Sequence, residues 1–170
     1  MRAAVGAGTI AGSIARVVLP ACAVLLAAGS SEGGLAQPQP ECTGREGPLK
    51  LYVDVEGVRS ADGLVAVTLY ADDSSRFLAS RGSLYVGRVP AKSGQTRVCI
   101  YLPSAGTYAL AVYHDANADR KFDRTGIGLP DEGYGFSNNP AVILGLPSFR
   151  SVRLAVPRSD MSTRVKLRYP

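Results

Sequence analysis

The 170-residue sequence has no tryptophan and only one histidine, His114. The missing tryptophan, together with cysteines that lack the antibody spacing, argues against a true immunoglobulin domain. A single imidazole among oxygen ligands is a poor zinc site, because zinc is held mainly by several histidine and cysteine ligands. The cationic side chains form no clustered basic run, which argues against nucleic-acid binding. These absences leave oxygen ligands and aromatic rings as the candidate functional groups.

A membrane-spanning helix needs about 20 apolar residues in a row, and the sequence has no such run. A shorter apolar segment, VVLPACAVLLAA, follows a basic start and precedes a polar, glycine-rich stretch. This layout is typical of a secretory signal peptide, with cleavage after Gly29 or, as we favour, after Ala36. We therefore expect residues 1–36 to be a signal peptide and the protein to be periplasmic or secreted, with no membrane span after cleavage. An uncleaved anchor is the alternative.

Cysteine is scarce as well, with three residues in the chain. Cys22 lies inside the apolar segment and would leave with the signal peptide, unless it is the lipidated residue of a lipoprotein. Cys42 and Cys99 remain as an even pair, and such a pair in an oxidising compartment predicts a disulfide bond. Residues 37–48 are expected to form a flexible lead-in that Cys42 ties to the domain.

Apolar and polar residues alternate with a period of two from Leu49 onward, and turn residues separate the alternating segments. The predicted strands are 49–58, 63–70, 83–90, 95–103, 107–114, 148–157 and 162–170. The pattern predicts an all-β domain over residues 49–170. We expect an antiparallel β-sandwich of about seven strands, immunoglobulin-like or transthyretin-like, with one long loop at 114–148.

The long loop begins with oxygen-bearing side chains at every second position, in HDANADRKFD. This spacing fits the first nine positions of a calcium loop, in which one ligand is a backbone carbonyl. The candidate ligands are Asp115, Asn117, Asp119, Lys121 through its carbonyl, and Asp123. Arg120 stands where such loops have glycine, and Gly126 where they have a bidentate glutamate. The alternative is a loop whose carboxylates cap their own backbone amides.

The same loop contains candidate residues for ligand binding. Aromatic rings flanked by amides are typical of carbohydrate or peptide sites. The predicted binding residues are His114, Tyr134, Phe136, Asn138 and Asn139. In the competing interpretation the aromatic rings pack the long loop onto the end of the sheet, while four glycines let the chain bend.

The favoured function is an exported, non-enzymatic binding or structural module, with calcium at 115–123 as a stabilising ion. Its partner is an unidentified protein, peptide or carbohydrate. A hydrolase is the alternative, with His114 as general base beside Asp115 and Asp119. The nearest serine, Ser137, lies in YGFSN rather than in a Gly-x-Ser-x-Gly elbow, so no nucleophile is evident.

Long segments of the sequence resemble a family of exported bacterial proteins known as domain of unknown function 2141. The similar segments are VDVEGVRSADGLVAVTLY, LPSAGTYALAVYHDANADRKFD, GIGLPDEGYGFSNN and TRVKLRY. The resemblance implies a β-sandwich, a signal peptide and a periplasmic or secreted location, and it implies no established activity. Members of the family usually have glycine where this chain has Arg120.

Overall fold

The structure is a computed structural model that describes Gly6, Gly8, Thr9, Gly12, residues 39–143 and residues 146–170. Only those four residues of the predicted signal peptide are described, and both predicted cleavage sites lie outside the described residues. The signal peptide and its cleavage therefore stay predictions. Residues Pro38–Pro170 form one compact unit. Among the described residues no helix has the length and apolar character needed to cross a membrane.

Within the described residues the chain forms nine strands and one four-residue helix. The strands are β1 (Cys42–Thr43), β2 (Leu49–Val58), β3 (Leu64–Ala71), β4 (Tyr85–Pro90), β5 (Gly94–Leu102), β6 (Gly106–Asp115), β7 (Gly133–Phe136), β8 (Arg153–Val156) and β9 (Met161–Lys166). The helix is α1 (Phe149–Val152). Strand dominates because alternating apolar positions and β-branched residues suit a half-buried sheet.

The strands form two sheets that pack face to face, so the predicted all-β sandwich is confirmed. The first sheet has the order β1-β5-β2-β9, and the second has the order β4-β3-β6-β7, with β8 also paired to β6. Two strands go beyond those predicted: β1 lies in the lead-in and β7 in the long loop. The sandwich is not wholly antiparallel, because β1 pairs with β5, and β9 with β2, in the parallel direction.

One apolar core lies between the two sheets. Val53, Val55, Val65 and Val67 are 0% exposed, because alternate side chains of β2 and β3 point inward. Other fully buried members come from the same two strands and from β5 and β6, and they are Leu51, Leu69, Val98, Ile100, Leu102, Leu110 and Val112. Burying each such side chain stabilises the fold by about 1.5–3 kcal/mol.

Strand β6 is the centre of the second sheet, and two short strands share one of its edges. Its N-terminal half pairs with β8 and its C-terminal half with β7. Ser137 bridges the break between them: its backbone N–H donates to the carbonyl of Leu110 at 3.1 Å, and its hydroxyl accepts the N–H of Leu110 at 3.0 Å. The hydroxyl also donates to the carbonyl of Val152. Ser137 is therefore a buried structural residue.

The predicted disulfide between Cys42 and Cys99 is confirmed. The two cysteines are paired residues of β1 and β5, and the bond has a sequence separation of 57. The Thr43 hydroxyl adds a hydrogen bond to the carbonyl of Cys99 at 3.1 Å. The lead-in is thus fixed to the edge of the first sheet at this point.

Candidate functional site

Strand β7 presents glycine on one face and aromatic rings on the other. In its sequence Gly-Tyr-Gly-Phe the side chains alternate, so Gly133 and Gly135 share one face and Tyr134 and Phe136 the opposite face. A Cβ atom at Gly135 would lie 2.7 Å from the carbonyl oxygen of Lys166. These two glycines therefore allow the C-terminal chain to pass close to β7, and they do not serve as the bends that the sequence suggested.

The aromatic face of β7 belongs to a continuous array of rings on the outer side of the second sheet. Ring centroids of neighbouring members are between 5.2 and 6.2 Å apart. The members are Tyr113, Phe122, Tyr134, Phe136, Phe77, Tyr70 and Phe149. Edge-to-face and tilted contacts at this spacing add about 0.5–1.5 kcal/mol each beyond the burial of the rings. The array therefore packs two loops and α1 onto the sheet.

A cavity of about 280 Å³ lies within this array, and we call it the aromatic cavity. It is lined by Thr68, Tyr70, Leu78, Ala111, Val112, Tyr113, Phe122, Arg124, Tyr134, Phe136 and Leu146. The strand register places Thr68 beside Ala111, and Ala111 beside Phe136. Because the small side chains of Thr68 and Ala111 are neighbours on the sheet, they leave space between the larger rings.

Arg124 is the one charged residue among the described residues that line the aromatic cavity. Its guanidinium carbon lies 5.1 Å from the centroid of the Phe122 ring, and its Nη1 donates to the carbonyl of Gly128 at 2.9 Å. Gly128 has a φ of 85°, and its N–H donates to the carbonyl of Thr125 at 2.8 Å. This short turn holds the cation beside the ring.

Of the predicted binding residues, Tyr134 and Phe136 line the aromatic cavity, and the two asparagines do not. Asn138 uses its amide nitrogen to donate to the carbonyl of Arg153 at 2.8 Å. The Asn139 amide oxygen accepts the N–H of Lys166 at 2.7 Å. Both asparagines have positive φ values, 63° and 49°, which their short amide side chains tolerate. They therefore connect β7 to neighbouring strands.

His114 lies on the inner face of β6, away from the aromatic cavity, and is 2% exposed. Its Nε2 lies 2.9 Å from the carbonyl oxygen of Asp62, which can only accept, so Nε2 carries a proton. Its Nδ1 lies 2.8 Å from the hydroxyl of Tyr169 and in the neutral ring accepts from it. Asp115 follows on the opposite face of the strand, so the structure does not bring His114 and the loop carboxylates together for general-base chemistry.

The oxygens of the predicted calcium loop accept hydrogen bonds from the loop's own backbone. The Asp115 carboxylate is 0% exposed and accepts the N–H groups of Asp119 at 3.1 Å and Arg120 at 2.9 Å. The Asn117 amide oxygen accepts the Asp119 N–H at 3.1 Å, and an Asp119 carboxylate oxygen accepts the Lys121 N–H at 2.8 Å. This is the self-capping arrangement expected of a loop rich in Asp and Asn.

The Asn117 amide nitrogen donates to the Asp123 carboxylate at 2.9 Å. Across the described ranges, no group of three or more His, Cys, Asp or Glu side chains is placed to hold a metal ion. Calcium binding by Asp115, Asn117, Asp119, Lys121 and Asp123 stays a prediction, and these hydrogen bonds favour the self-capping alternative.

Arg120 has a φ of 66°, the left-handed conformation that glycine adopts most easily. A side chain at such a position costs ~1–2 kcal/mol. The carbonyl of Arg120 accepts a hydrogen bond from Nη2 of Arg88 at 3.2 Å, which helps to hold the turn. The backbone conformation therefore suits glycine better than arginine at this position.

Calcium at about 5 mM is expected to leave the melting temperature of the protein unchanged, since the loop oxygens already have backbone partners. A site with a Kd of about 1 mM would instead stabilise the fold by about 1 kcal/mol at that concentration. Differential scanning calorimetry with calcium, with magnesium and with EDTA makes the measurement. A rise that calcium alone produces and EDTA reverses would establish the ion site.

Glu132 is the titratable group in this region with a large pKa shift. Burial, at 9% exposure, raises its pKa from the ordinary value of 4.5 to about 7. The N–H of Asp123 donates to its carboxylate at 3.1 Å and opposes the rise, while the charges of Asp115, Asp123 and Asp119 add to it. The folded protein therefore holds this proton at pH values where the unfolded chain releases it.

The free energy of unfolding is expected to fall as pH rises from about 4.5 to about 7, because the folded state binds the Glu132 proton and the unfolded state does not. Glu132→Gln should remove this part of the pH dependence and make the protein more stable than wild type at about pH 8, with little difference at about pH 4. Urea unfolding across this range measures it. Asp131→Asn removes the same charge at an exposed neighbouring residue and should leave the pH dependence of the free energy of unfolding as it is in wild type. The prediction would be contradicted if Glu132→Gln also left that pH dependence unchanged.

The family model described as "uncharacterized protein conserved in bacteria (DUF2141)" matches residues 53–164, more than half of the chain. The chain belongs to this family. The matched range includes every described residue that lines the aromatic cavity. No curated protein and no solved structure matches the chain. The family description names no activity, so the function has to be argued from the site.

Sequence reasoning missed most of the cavity residues. Tyr70 and Tyr113 were visible only as outward positions of apolar strands. Phe122 lay in the segment 115–123 that was interpreted as ion-binding, and Arg124 directly follows that segment. The available signal was the alternation in β3 and β6, where the positions opposite the valine face carry aromatic or small side chains. A sheet with apolar side chains on both faces predicts a second packing layer, and this layer contains the cavity.

Proposed function

We propose that the protein is an exported, non-enzymatic binding module that receives a compact, ring-bearing small molecule in the aromatic cavity. The observation that carries the proposal is the cavity of about 280 Å³ bordered by aromatic rings. Small-molecule sites are concave and mostly apolar, and their volumes begin at about 300 Å³. A cavity of about 280 Å³, just below that range, suits a ligand of one or two rings.

A binding role agrees with the structural hydrogen bonds made by the two candidate catalytic residues, His114 and Ser137. Both ring nitrogens of His114 have hydrogen-bond partners, and the Ser137 hydroxyl is buried between Leu110 and Val152. A hydrolase needs a nucleophile and a base in contact with each other and with the substrate. The lining of the aromatic cavity contains hydroxyl groups and rings, which bind and orient a ligand without such a pair.

Export is supported by the layout of the first 36 residues and by the cystine. A disulfide persists in oxidising compartments, such as the periplasm or the cell exterior, and is rare in reducing cytoplasm. The Cys42–Cys99 bond joins paired strands at the edge of the sandwich, where it adds to the stability of the fold. A periplasmic or secreted binding module is the function that combines these observations.

Saturable binding of 2-naphthalenemethanol, a neutral two-ring probe, is expected with a Kd on the order of 0.1–1 mM. Naphthalene emission reports the titration at wavelengths beyond tyrosine emission, where a chain without tryptophan contributes little fluorescence. Ala111→Leu fills the space next to Thr68 and should abolish binding while the protein stays folded. Ala155→Leu, the same change at an exposed position of β8, is the matched control and should bind as wild type does.

Two results would overturn the proposal. Binding that Ala111→Leu leaves unchanged would place the probe outside the aromatic cavity. Binding of a disaccharide, cellobiose, in an Ala111-dependent way, with none of the naphthalene probe, would assign the cavity to carbohydrate instead. Thermal unfolding of each variant shows whether the substitution has changed the fold.

A further inference from the structure

We infer that the ligand of the aromatic cavity is a small aromatic anion, such as an aromatic carboxylate, and that Arg124 binds its charged group. This inference rests on the proposed function and adds the charge of the ligand to it. It depends on three observations: the sign of the charge at the cavity, the position of the guanidinium, and the size of the space beside it.

The charge that lines the aromatic cavity is positive. Arg124 is the charged residue in the described part of the lining, and no described carboxylate shares it. Two acidic groups, Asp115 and Glu132, act on Tyr113 through their charges from outside the lining. Both are buried, at 0% and 9% exposure, and both accept hydrogen bonds from loop backbone. A ligand in the cavity therefore meets the cation directly.

The guanidinium of Arg124 is held in place before any ligand arrives. It lies over the Phe122 ring, and its Nη1 donates to the carbonyl of Gly128. In the segments that the structure describes, Nη1 is its only nitrogen with a hydrogen-bond partner, so Nε and Nη2 are available as donors. A carboxylate accepts two N–H groups of a guanidinium at once, and a group held in position loses little freedom on binding.

The space beside Arg124 fits the ring of such a ligand. Rings of Phe122 and Tyr134 lie next to each other with centroids 6.1 Å apart, and both line the cavity with Arg124. A cavity of about 280 Å³ accepts a one- or two-ring system but not a polymer. The lining therefore matches a ligand that has an apolar ring inside the cavity and one anionic group at Arg124.

Paired titrations of the full chain with 2-naphthoate and 2-naphthalenemethanol test the inference, because the two probes share a ring system and differ in charge. Naphthoate is expected to bind about tenfold more tightly than the alcohol. Arg124→Gln should remove that advantage, so that the two probes bind the variant with about equal affinity. Arg120→Gln removes the same charge from an arginine outside the lining and should change neither affinity. Arg124→Lys keeps the charge without the paired donors and should restore part of the naphthoate affinity.

The outcomes separate this inference from the proposed function. Equal affinities for the two probes, both lost in Ala111→Leu, would overturn the inference and leave the binding module standing. The same loss of naphthoate affinity in Arg120→Gln and Arg124→Gln would show a diffuse charge effect and would also overturn it. Failure of both probes to bind would contradict the proposed function itself. Fluorescence titration gives each affinity, and thermal unfolding confirms that each variant is folded.

Discussion

Removal of the Cys42–Cys99 disulfide is expected to lower the free energy of unfolding by about 4 kcal/mol. The bond closes a loop with a sequence separation of 57, and a cross-link of that length restricts the unfolded chain strongly. It also holds β1, which has only two residues, against β5. Without the bond, a strand of that length has too few hydrogen bonds to remain paired.

Urea unfolding of the double variant Cys42→Ala/Cys99→Ala measures this loss. Cys99 is 0% exposed, so the double variant also removes packing atoms from a buried position. Wild-type protein reduced with dithiothreitol keeps both sulfur atoms and isolates the effect of the cross-link. A loss below about 1 kcal/mol in the reduced protein would show that the chain-entropy argument does not hold here.

Gly135→Ala is expected to cost about 2–3 kcal/mol and to disturb the aromatic cavity as well. The new methyl group would lie 2.7 Å from the carbonyl oxygen of Lys166 and 2.8 Å from Cγ1 of Val165. The first of these is a backbone atom of β9 and cannot rotate away. The clash is relieved only if β7 and β9 move apart, and β7 carries Tyr134 and Phe136 into the cavity.

Gly126→Ala is the matched control, because a Cβ atom there has no neighbour within 4 Å. It should change the free energy of unfolding by no more than about 0.5 kcal/mol. Chemical denaturation of both variants gives the stabilities, and titration with 2-naphthalenemethanol gives the effect on the cavity. A Gly135→Ala protein as stable as the Gly126→Ala protein would mean that β9 accommodates the methyl group.

The sandwich could be predicted from the sequence because its strands obey a local rule. In β2 the inward residues Leu51, Val53 and Val55 alternate with polar ones, so one face is identified without knowledge of its partner. The disulfide followed from the cysteine count and the predicted compartment. In each case the information lies within a short segment or in composition.

The site was harder to predict because it depends on contacts between distant segments. Strand β7 was missed because two of its four residues are glycine, which weakens any strand prediction. The reason for those glycines lies much later in the chain, in Lys166 of β9 beside Gly135 and in the Tyr169 ring beside Gly133. The partners of the loop carboxylates are backbone amides, and no sequence pattern distinguishes an oxygen that caps an amide from one that binds an ion.

The pairing of β2 with β9 has a consequence for how the protein folds. These strands lie far apart in the sequence of the domain, so the first sheet cannot be completed until β9 has been synthesised. Sheets built from such non-local pairs form on timescales of milliseconds to seconds, more slowly than helical bundles. The first sheet consequently stays incomplete until β9 is available, and a truncation that removes β9 should destroy cooperative refolding of the entire unit instead of trimming one edge.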